Sequence, residues 1–298
     1  MRTSQVVDLL DREFRVLEVG DPYLVKHAFT DTGRAQATEA FLQEKSGLMF
    51  DFTGVVSEVY CVVFTTREVL DRLVHITKEP SLLFTHHPHD YLEDARGIGP
   101  FPEDYLAELK QRKIAVYTIH TPLDVGLSIS VSRSLTQRLS LSNPQPFSEA
   151  CGGHLGVMGS LSTRNLDEMA GHVCRSLNIS TVDVFDYGAT EGPVAVVAGG
   201  GDQPKILKEA KDLGCRTYIT GTVVDRWKRK SIQETNAEFH RLARKWKINL
   251  IGASHYCTEK CAVEDVAAYL RGDGLEATFL EDPILGDYIK GNWKRRES

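Results

Sequence analysis

The sequence predicts an α/β protein with two lobes, each with a mixed, mostly parallel sheet, and a dinuclear metal site in the cleft between them. Three observations carry this. Short apolar, β-branched runs alternate with amphipathic helical stretches, and βαβα order implies a largely parallel sheet covered by helices. The 298 residues suffice for one large α/β domain or two ordinary ones. Metal-ligand residue types follow three apolar runs: His86-His87-Pro88 after Leu82–Phe84, Asp124 after Ile114–Tyr117, and His255 with Glu259 after Ile248–Ile251. Polar groups just past buried strands occupy the position where an open α/β sheet presents its ligand crevice.

In chain order, Val56–Phe64 is β-branched and aromatic, as strands prefer. Thr65-Thr66 then caps a helix through Ile76, with Val69, Leu70, Leu73 and Val74 on one face. A strand at 82–85, a Gly/Pro-rich loop at 97–102, a helix at 103–112 and a strand at 114–119 are expected next. Residues 128–148, rich in serine, with Asn143-Pro144-Gln145-Pro146 and then Cys151-Gly152-Gly153, read as a linker or active-site loop. The second half resumes with helix 165–177, strand 193–198, helix 203–213, strand 215–220, helix 231–246, strand 248–253 and helix 258–271. Residues 1–126, completed by 252–298, are expected to form the first lobe and 127–251 the second.

Composition narrows the function classes. No apolar run approaches the roughly 20 residues needed to span a bilayer, so no membrane partner is expected. The opening MRTSQVVDLLDREF carries two Asp and a Glu and no secretory apolar core. Six scattered cysteines in so long a chain read as reduced thiols, and the expected location is cytoplasmic. A net charge of −6 argues against a dedicated nucleic-acid binder. The charge is uneven: Arg226 to Lys247 holds eight Lys/Arg against two Asp/Glu, a local +6 that leaves −12 elsewhere. Trp227 and Trp246 interleave with these cations, which suits an anionic ligand as well as a solvated helix face.

Three imidazoles and two carboxylates exceed one closed four-coordinate zinc and suit two neighbouring divalent ions. Adjacent His86 and His87 can face one cavity if Pro88 forces a turn; the alternative is a polar turn with locally bonded histidines. His89 and Asp90 add nearby polar groups. In His120-Thr121-Pro122-Leu123-Asp124 the carboxylate is a hard ligand, while His120 is open to service as ligand, orienting group or proton shuttle. His255 and Glu259 are i, i+4 and share a helix face if the helix begins early enough. Cys257 and Cys261 are offset by two positions, about 200° of rotation, and are expected to pack into the core. Val194–Val197 followed by Gly199-Gly200-Gly201-Asp202 is a strand entering a glycine turn, either a phosphate cradle or a tight turn with Asp202 capping the next helix.

Together, Thr85-His86-His87-Pro88, His120-Thr121-Pro122-Leu123-Asp124, Gly199-Gly200, Tyr218-Ile219-Thr220-Gly221 and His255-Tyr256-Cys257-Thr258-Glu259 resemble the NIF-three-like dinuclear metal-centre family, the GTP cyclohydrolase I type 2 homologues. The resemblance runs from about residue 55 to 271, and the 37-residue separation of His87 from Asp124 is typical of it. It implies that His86, His87, Asp124, His255 and Glu259 bind two divalent ions, and that the protein forms a toroidal homohexamer. Pro122 replaces the family's usual Asn, Thr222 its usual acidic residue, and the basic 226–247 stretch is longer than expected. The metal is open among Zn, Fe, Mn, Co and Ni.

The expected function is metal-dependent hydrolysis of a small phosphorylated or nucleotide-like substrate, GTP cyclohydrolase-like chemistry included, with His120 as the catalytic proton-moving group. The alternative is a non-catalytic metal-carrying or partner-binding assembly protein.

Overall fold

The computed structural model describes residues 1–22, 30–92, 97–163, 165–224 and 230–288, with 286–288 described by backbone only. It divides into two compact units. Among the described residues, the first comprises 1–22, 30–92, 98–129 and 263–284, and the second 97, 130–163, 165–224, 230–262 and 285–288.

Strands of the first unit are β1 (Gly47–Phe50), β2 (Glu58–Phe64), β3 (Ser81–His87), the two-residue β4 (Tyr91–Leu92) and β6 (Ile114–Thr118), while the two-residue β5 (Gly97–Ile98) begins in the second unit and ends in the first. The second unit adds β7 (Ser142–Ala150), β8 (Gly153–Ser160), β9 (Asp183–Phe185), β10 (Val194–Val197), β11 (Thr217–Thr220) and β12 (Asn249–Gly252), after which the chain gives the first unit β13 (Glu276–Phe279).

The first unit is built on the order β1-β6-β3-β2-β13. Its β6, β3, β2 and β13 are parallel and β1 is antiparallel to β6. β3 and β6 are buried at every position, as expected of central strands covered on both faces. The helix Arg67–Ile76 links β2 to β3. Thr66 accepts from the Val69 N–H at its N-terminus and also donates to buried Asp282. Val69, Leu70, Leu73 and Val74 bury its apolar stripe against Tyr60, Val62, Leu83 and Val116. Burying each such aliphatic side chain contributes about 1.5–3 kcal/mol. β3 runs two residues beyond the predicted strand, so His86 and His87 end the strand itself.

The second sheet has the order β7-β8-β10-β11-β12-β9. A parallel centre, β10-β11-β12, is flanked by antiparallel β8 and β9. Its core packs Ala195, Tyr218 and Leu250 of these strands with Leu207, Phe239 and Ala243 of the helices Pro204–Asp212 and Lys230–Trp246.

The expected linker at 128–148 is regular structure instead: helix Val131–Arg138 followed by the β7–β8 hairpin. Cys151 (φ 47°) and Gly152 (φ 73°) form its two-residue loop, and two positive φ values suit the tight hairpin turn that matches strand twist. Pro144 and Pro146 are tolerated because β7 is an edge strand, where a missing N–H costs no ladder bond on the open side. The helix predicted at 258–271 begins earlier, at His255, and runs to Gly272, with residues through Ala262 in the second unit. The N-cap of Pro204–Asp212 is Gln203, not Asp202, which is buried and accepts from Asn236 Nδ2 at 2.8 Å.

Arg226–Arg229 lie outside the described residues. The rest of the basic stretch falls mainly on helix Lys230–Trp246, where Arg241 makes two 2.6 Å bonds to Glu238. Lys230 approaches Glu234 at 3.8 Å. Among the described residues, no helix is long and apolar enough to cross a membrane.

Candidate metal centre

In the first unit, parallel pairing brings the C-terminal ends of β2, β3 and β6 to one edge, with Phe64 opposite His87 and Thr85 opposite Thr118. Beyond β6 the chain passes Ile119 and His120 and closes a single helical turn, Thr121–Asp124. Pro122 fits because the first helical turn has no intrahelical use for its N–H. The turn places His120 and Asp124 four residues apart, with His120 Nε2 3.6 Å from Asp124 Oδ2.

His86 is fully buried, and its Nδ1 lies 2.9 Å from the Ile119 carbonyl oxygen. A carbonyl only accepts, so Nδ1 carries a proton, and in the neutral ring Nε2 presents a lone pair. That Nε2 lies 3.5 Å from Asp124 Oδ1. His87 is also buried, its ring stacked 4.5 Å from Phe64, which stacks at 4.0 Å on Tyr91. Ring centroids separate His86 from His87 by 4.2 Å, His86 from His120 by 5.2 Å and His87 from His120 by 4.8 Å. One nitrogen from each of His86, His87 and His120 can be chosen so that all three lie within 4.8 Å of one another.

This donor set fits a divalent ion. Nε2 of His86 and Oδ1 of Asp124 are two acceptors facing each other at 3.5 Å, beyond the usual hydrogen-bond range. Two ligands each about 2.0–2.2 Å from a tetrahedral ion would be separated by roughly 3.3–3.6 Å. Imidazole with carboxylate suits the borderline divalent metals without selecting one.

In the second unit, Val197, Thr220 and Gly252 are in register at the C-terminal ends of the parallel strands. Gly199, Gly221 and His255 follow them. Ser254, buried with φ 71°, accepts from the Cys257 N–H at 3.2 Å and starts the helix at His255. One turn on, Glu259 Oε1 lies 3.0 Å from His255 Nε2, and both side chains are largely buried. The pair thus shares one helix face, as i, i+4 spacing requires.

The glycine turn is a tight turn packed on this pair. Gly199 has φ 68°, and a Cβ built there would lie 2.1 Å from Glu259 Oε1 and 3.3 Å from His255 Nε2. Thr258 Oγ1 accepts from the Gly199 N–H at 3.0 Å, and the Gly199 carbonyl accepts from Thr222 N at 3.1 Å. A Cβ at Gly221 would meet Gly199 O at 2.6 Å and His255 Cα at 2.8 Å. The Tyr-Ile-Thr-Gly motif therefore supplies close backbone approach behind the His255–Glu259 pair.

Cys257 and Cys261 are buried on the same helix, and Cys261 Sγ is 3.9 Å from the Cys257 carbonyl oxygen. All six cysteines are free thiols.

Asp21 carries no signal in the sequence, yet it joins this site. Its fully buried carboxylate lies 3.2 Å from His120 Nδ1 and accepts from Thr121 N and Oγ1 at 3.0 Å each. It is 99 residues from His120, in a stretch without a recognisable motif.

Two α/β units, each with imidazole and carboxylate groups at the C-terminal ends of its parallel strands, define an α/β protein with a candidate metal-binding cluster. The chain belongs to the Duf34/NIF3 (NGG1p interacting factor 3) family, whose model matches residues 35–283. It is 24% identical over 247 residues to a Deinococcus radiodurans protein called GTP cyclohydrolase 1 type 2 homolog, covering 80% of this chain and 85% of that one. A Pyrococcus horikoshii protein of the same name is 27% identical over 181 residues, 60% of this chain and 66% of that one. The crystal structure of TTHA1606 from Thermus thermophilus shares the fold, with TM-score 0.65 and 22% identity over 95% of this chain and 99% of that one.

Proposed function

We propose that His86, His87, Asp124, His255 and Glu259 together hold two divalent ions, and that this dinuclear centre hydrolyses a small phosphorylated or nucleotide-like substrate. The observation that carries the reading is Asp124, whose two oxygens face two imidazole Nε2 atoms at 3.5 and 3.6 Å. Asp124 and His86 would hold metal between them, while His120 would stand beside the same carboxylate as the proton-moving group. The His255–Glu259 pair supplies the further nitrogen and oxygen donors that a second ion requires.

When bound, such ions polarise a phosphoryl or carbonyl oxygen and make water more acidic. The chain's own residues do the rest. His86 is oriented by the Ile119 carbonyl and offers Nε2. Stacking on Phe64 holds the His87 ring. His120, with Nε2 toward Asp124, accepts and returns a proton at that nitrogen. A guanine-ring opening of the kind named for the two relatives is a special case of this hydrolysis. Further parts of the proposal are a cytoplasmic location and assembly as a homohexamer, the latter measurable by light scattering.

The test is metal analysis of anaerobically purified protein, followed by turnover on a nucleotide and phosphoester panel with metal-restored protein. Two ions per chain, with turnover lost in His120→Gln while the ions stay bound, is the expected result. Fewer than two ions at saturation refutes the dinuclear reading. Two ions without turnover favours a metal-carrying or assembly protein, the reading closer to the family's description as an interacting factor.

A further inference from the structure

We propose that Asp21 is a positioning residue of this site, holding a proton of His120 on Nδ1 and fixing the ring so that Nε2 is the nitrogen turned toward Asp124. The inference rests on the proposed role of His120 for its functional meaning, but its geometry stands alone.

The Asp21 side chain has no solvent exposure. A carboxylate so buried must be compensated by hydrogen bonds. Thr121 donates its N–H to Oδ2 and its hydroxyl to Oδ1, each at 3.0 Å. His120 Nδ1 approaches Oδ2 at 3.2 Å. An ionised carboxylate can only accept, so the His120 proton belongs on Nδ1. The opposite nitrogen, Nε2, then faces Asp124 Oδ2 at 3.6 Å.

The consequence is a matched orientation of two rings. His86 reaches the same state by a different route, its Nδ1 held by the Ile119 carbonyl. Ile119 and His120 are adjacent: one supplies a backbone acceptor to His86, while the other receives a side-chain acceptor from Asp21. Both rings thus turn Nε2 toward the two oxygens of Asp124. A buried carboxylate behind an imidazole fixes its tautomer and orientation and raises the basicity of the far nitrogen. Asp21 is itself anchored, its N–H donating to the Glu44 carbonyl at 3.2 Å, so the lock is built into the fold rather than borrowed from a ligand.

The experiment reads the tautomer directly. Metal-free protein labelled with 15N-histidine is studied by NMR at one fixed pH, and the His120 ring is assigned by its loss in His120→Gln. The expected spectrum shows a single His120 tautomer protonated on Nδ1. A wild-type ring protonated on Nε2 and not on Nδ1 overturns the proposal, and this measurement needs no variant of Asp21. Asp21→Ala, checked for folding by circular dichroism, is expected to lose the single-tautomer signature. Asp21→Asn is expected to retain it, because its amide oxygen can occupy the Oδ2 position with the NH2 turned to the Thr121 hydroxyl. A folded Asp21→Ala protein with the wild-type signature would overturn the lock and reduce Asp21 to an anchor for Thr121. None of these readings depends on turnover, so a failed substrate panel and a failed tautomer lock are separate results.

Discussion

Replacing Gly199 by Ala separates the cost of folding from the cost of binding. Gly199 has φ 68°, which an L side chain adopts at a penalty of about 1–2 kcal/mol. The new Cβ would stand 2.1 Å from Glu259 Oε1. Ordinary contact needs about 3.5 Å, so the carboxylate must retreat by roughly 1 Å or more. Glu259 has a flexible end, and that retreat is mechanically cheap for the apo fold. Metal ligands, however, tolerate only about 0.2 Å of displacement. The apo protein should therefore lose about 1–2 kcal/mol of stability. Metal affinity should fall further, on the order of 10–100-fold, as when the support of a ligand is removed. Gly200→Ala is the control: its Cβ would lie 3.6 Å from His255 Cε1, ordinary contact, and Gly200 has no positive φ. Competition with a fluorescent chelator, using Zn2+ or Mn2+, reads the affinities, and thermal unfolding of the apo forms reads the fold. A Gly199→Ala protein that binds metal as tightly as wild type would refute the close-approach reasoning.

Metal should also support the fold: stripping it should lower the melting temperature by about 5–10 °C if each ion is present near 100 times its dissociation constant, and Glu259→Ala should reduce that difference without chelator. An identical melting curve after verified removal would contradict this. The Cys257→Ala/Cys261→Ala double variant should keep its metal content and lose about 1–2 kcal/mol for two small buried side chains. Loss of metal on elemental analysis would show that sulfur ligates. His240 has a pKa below its usual 6.5, chiefly because burial disfavours the charged ring, an effect that outweighs the opposing pull of the Val223 carbonyl 2.6 Å from Nε2. With the folded value depressed, its contribution should be complete above about pH 6.5 and decline as pH falls through the folded value. Denaturant unfolding from pH 8 to 5 should show this loss flattened in His240→Gln, and equal slopes would exclude His240 as the source.

Much of the fold was legible because strong local signals agreed with the tertiary demand. Thr66 followed by a 3.6-period stripe is a helix start with its own cap, and the folded chain uses it as such. The segments 193–198, 215–220 and 248–253 are short apolar runs punctuated by glycine or helix caps, and each contains one of the parallel strands. What failed was the reading of polar composition as loop. Serines and prolines from 128 to 148 suggested irregular chain because two of the physical devices there are invisible without the sheet. An edge strand tolerates proline, and an exposed strand face tolerates polar residues. β7 is exposed over most of its length, so its hydrophobic alternation is faint. The β9 strand was missed because only three residues pair, and those pair across the sheet edge with β12.

The candidate site divides along a different line. Side chains that would touch metal announce themselves, because imidazole and carboxylate next to apolar runs are chemically unusual; His86, His87, Asp124, His255 and Glu259 all stand out by residue type and place. The groups behind them announce nothing. Ile119 acts through its carbonyl, Gly199 and Gly221 through the absence of a Cβ, and Thr258 through a hydroxyl that resembles any helix threonine. Asp21 is a lone carboxylate far from the other polar motifs, and only the folded chain brings it to His120. Yet these supports decide the chemistry. Removing a ligand deletes a bond that any sequence reader would predict. Removing the Ile119 carbonyl contact or the Asp21 carboxylate would leave every proposed ligand in place and free the ring to carry its proton on either nitrogen. A chain with all five ligand types but a different residue at position 21 should therefore be able to bind metal and still handle protons differently. Metal content alone would not distinguish the two chains, and the His120 tautomer would.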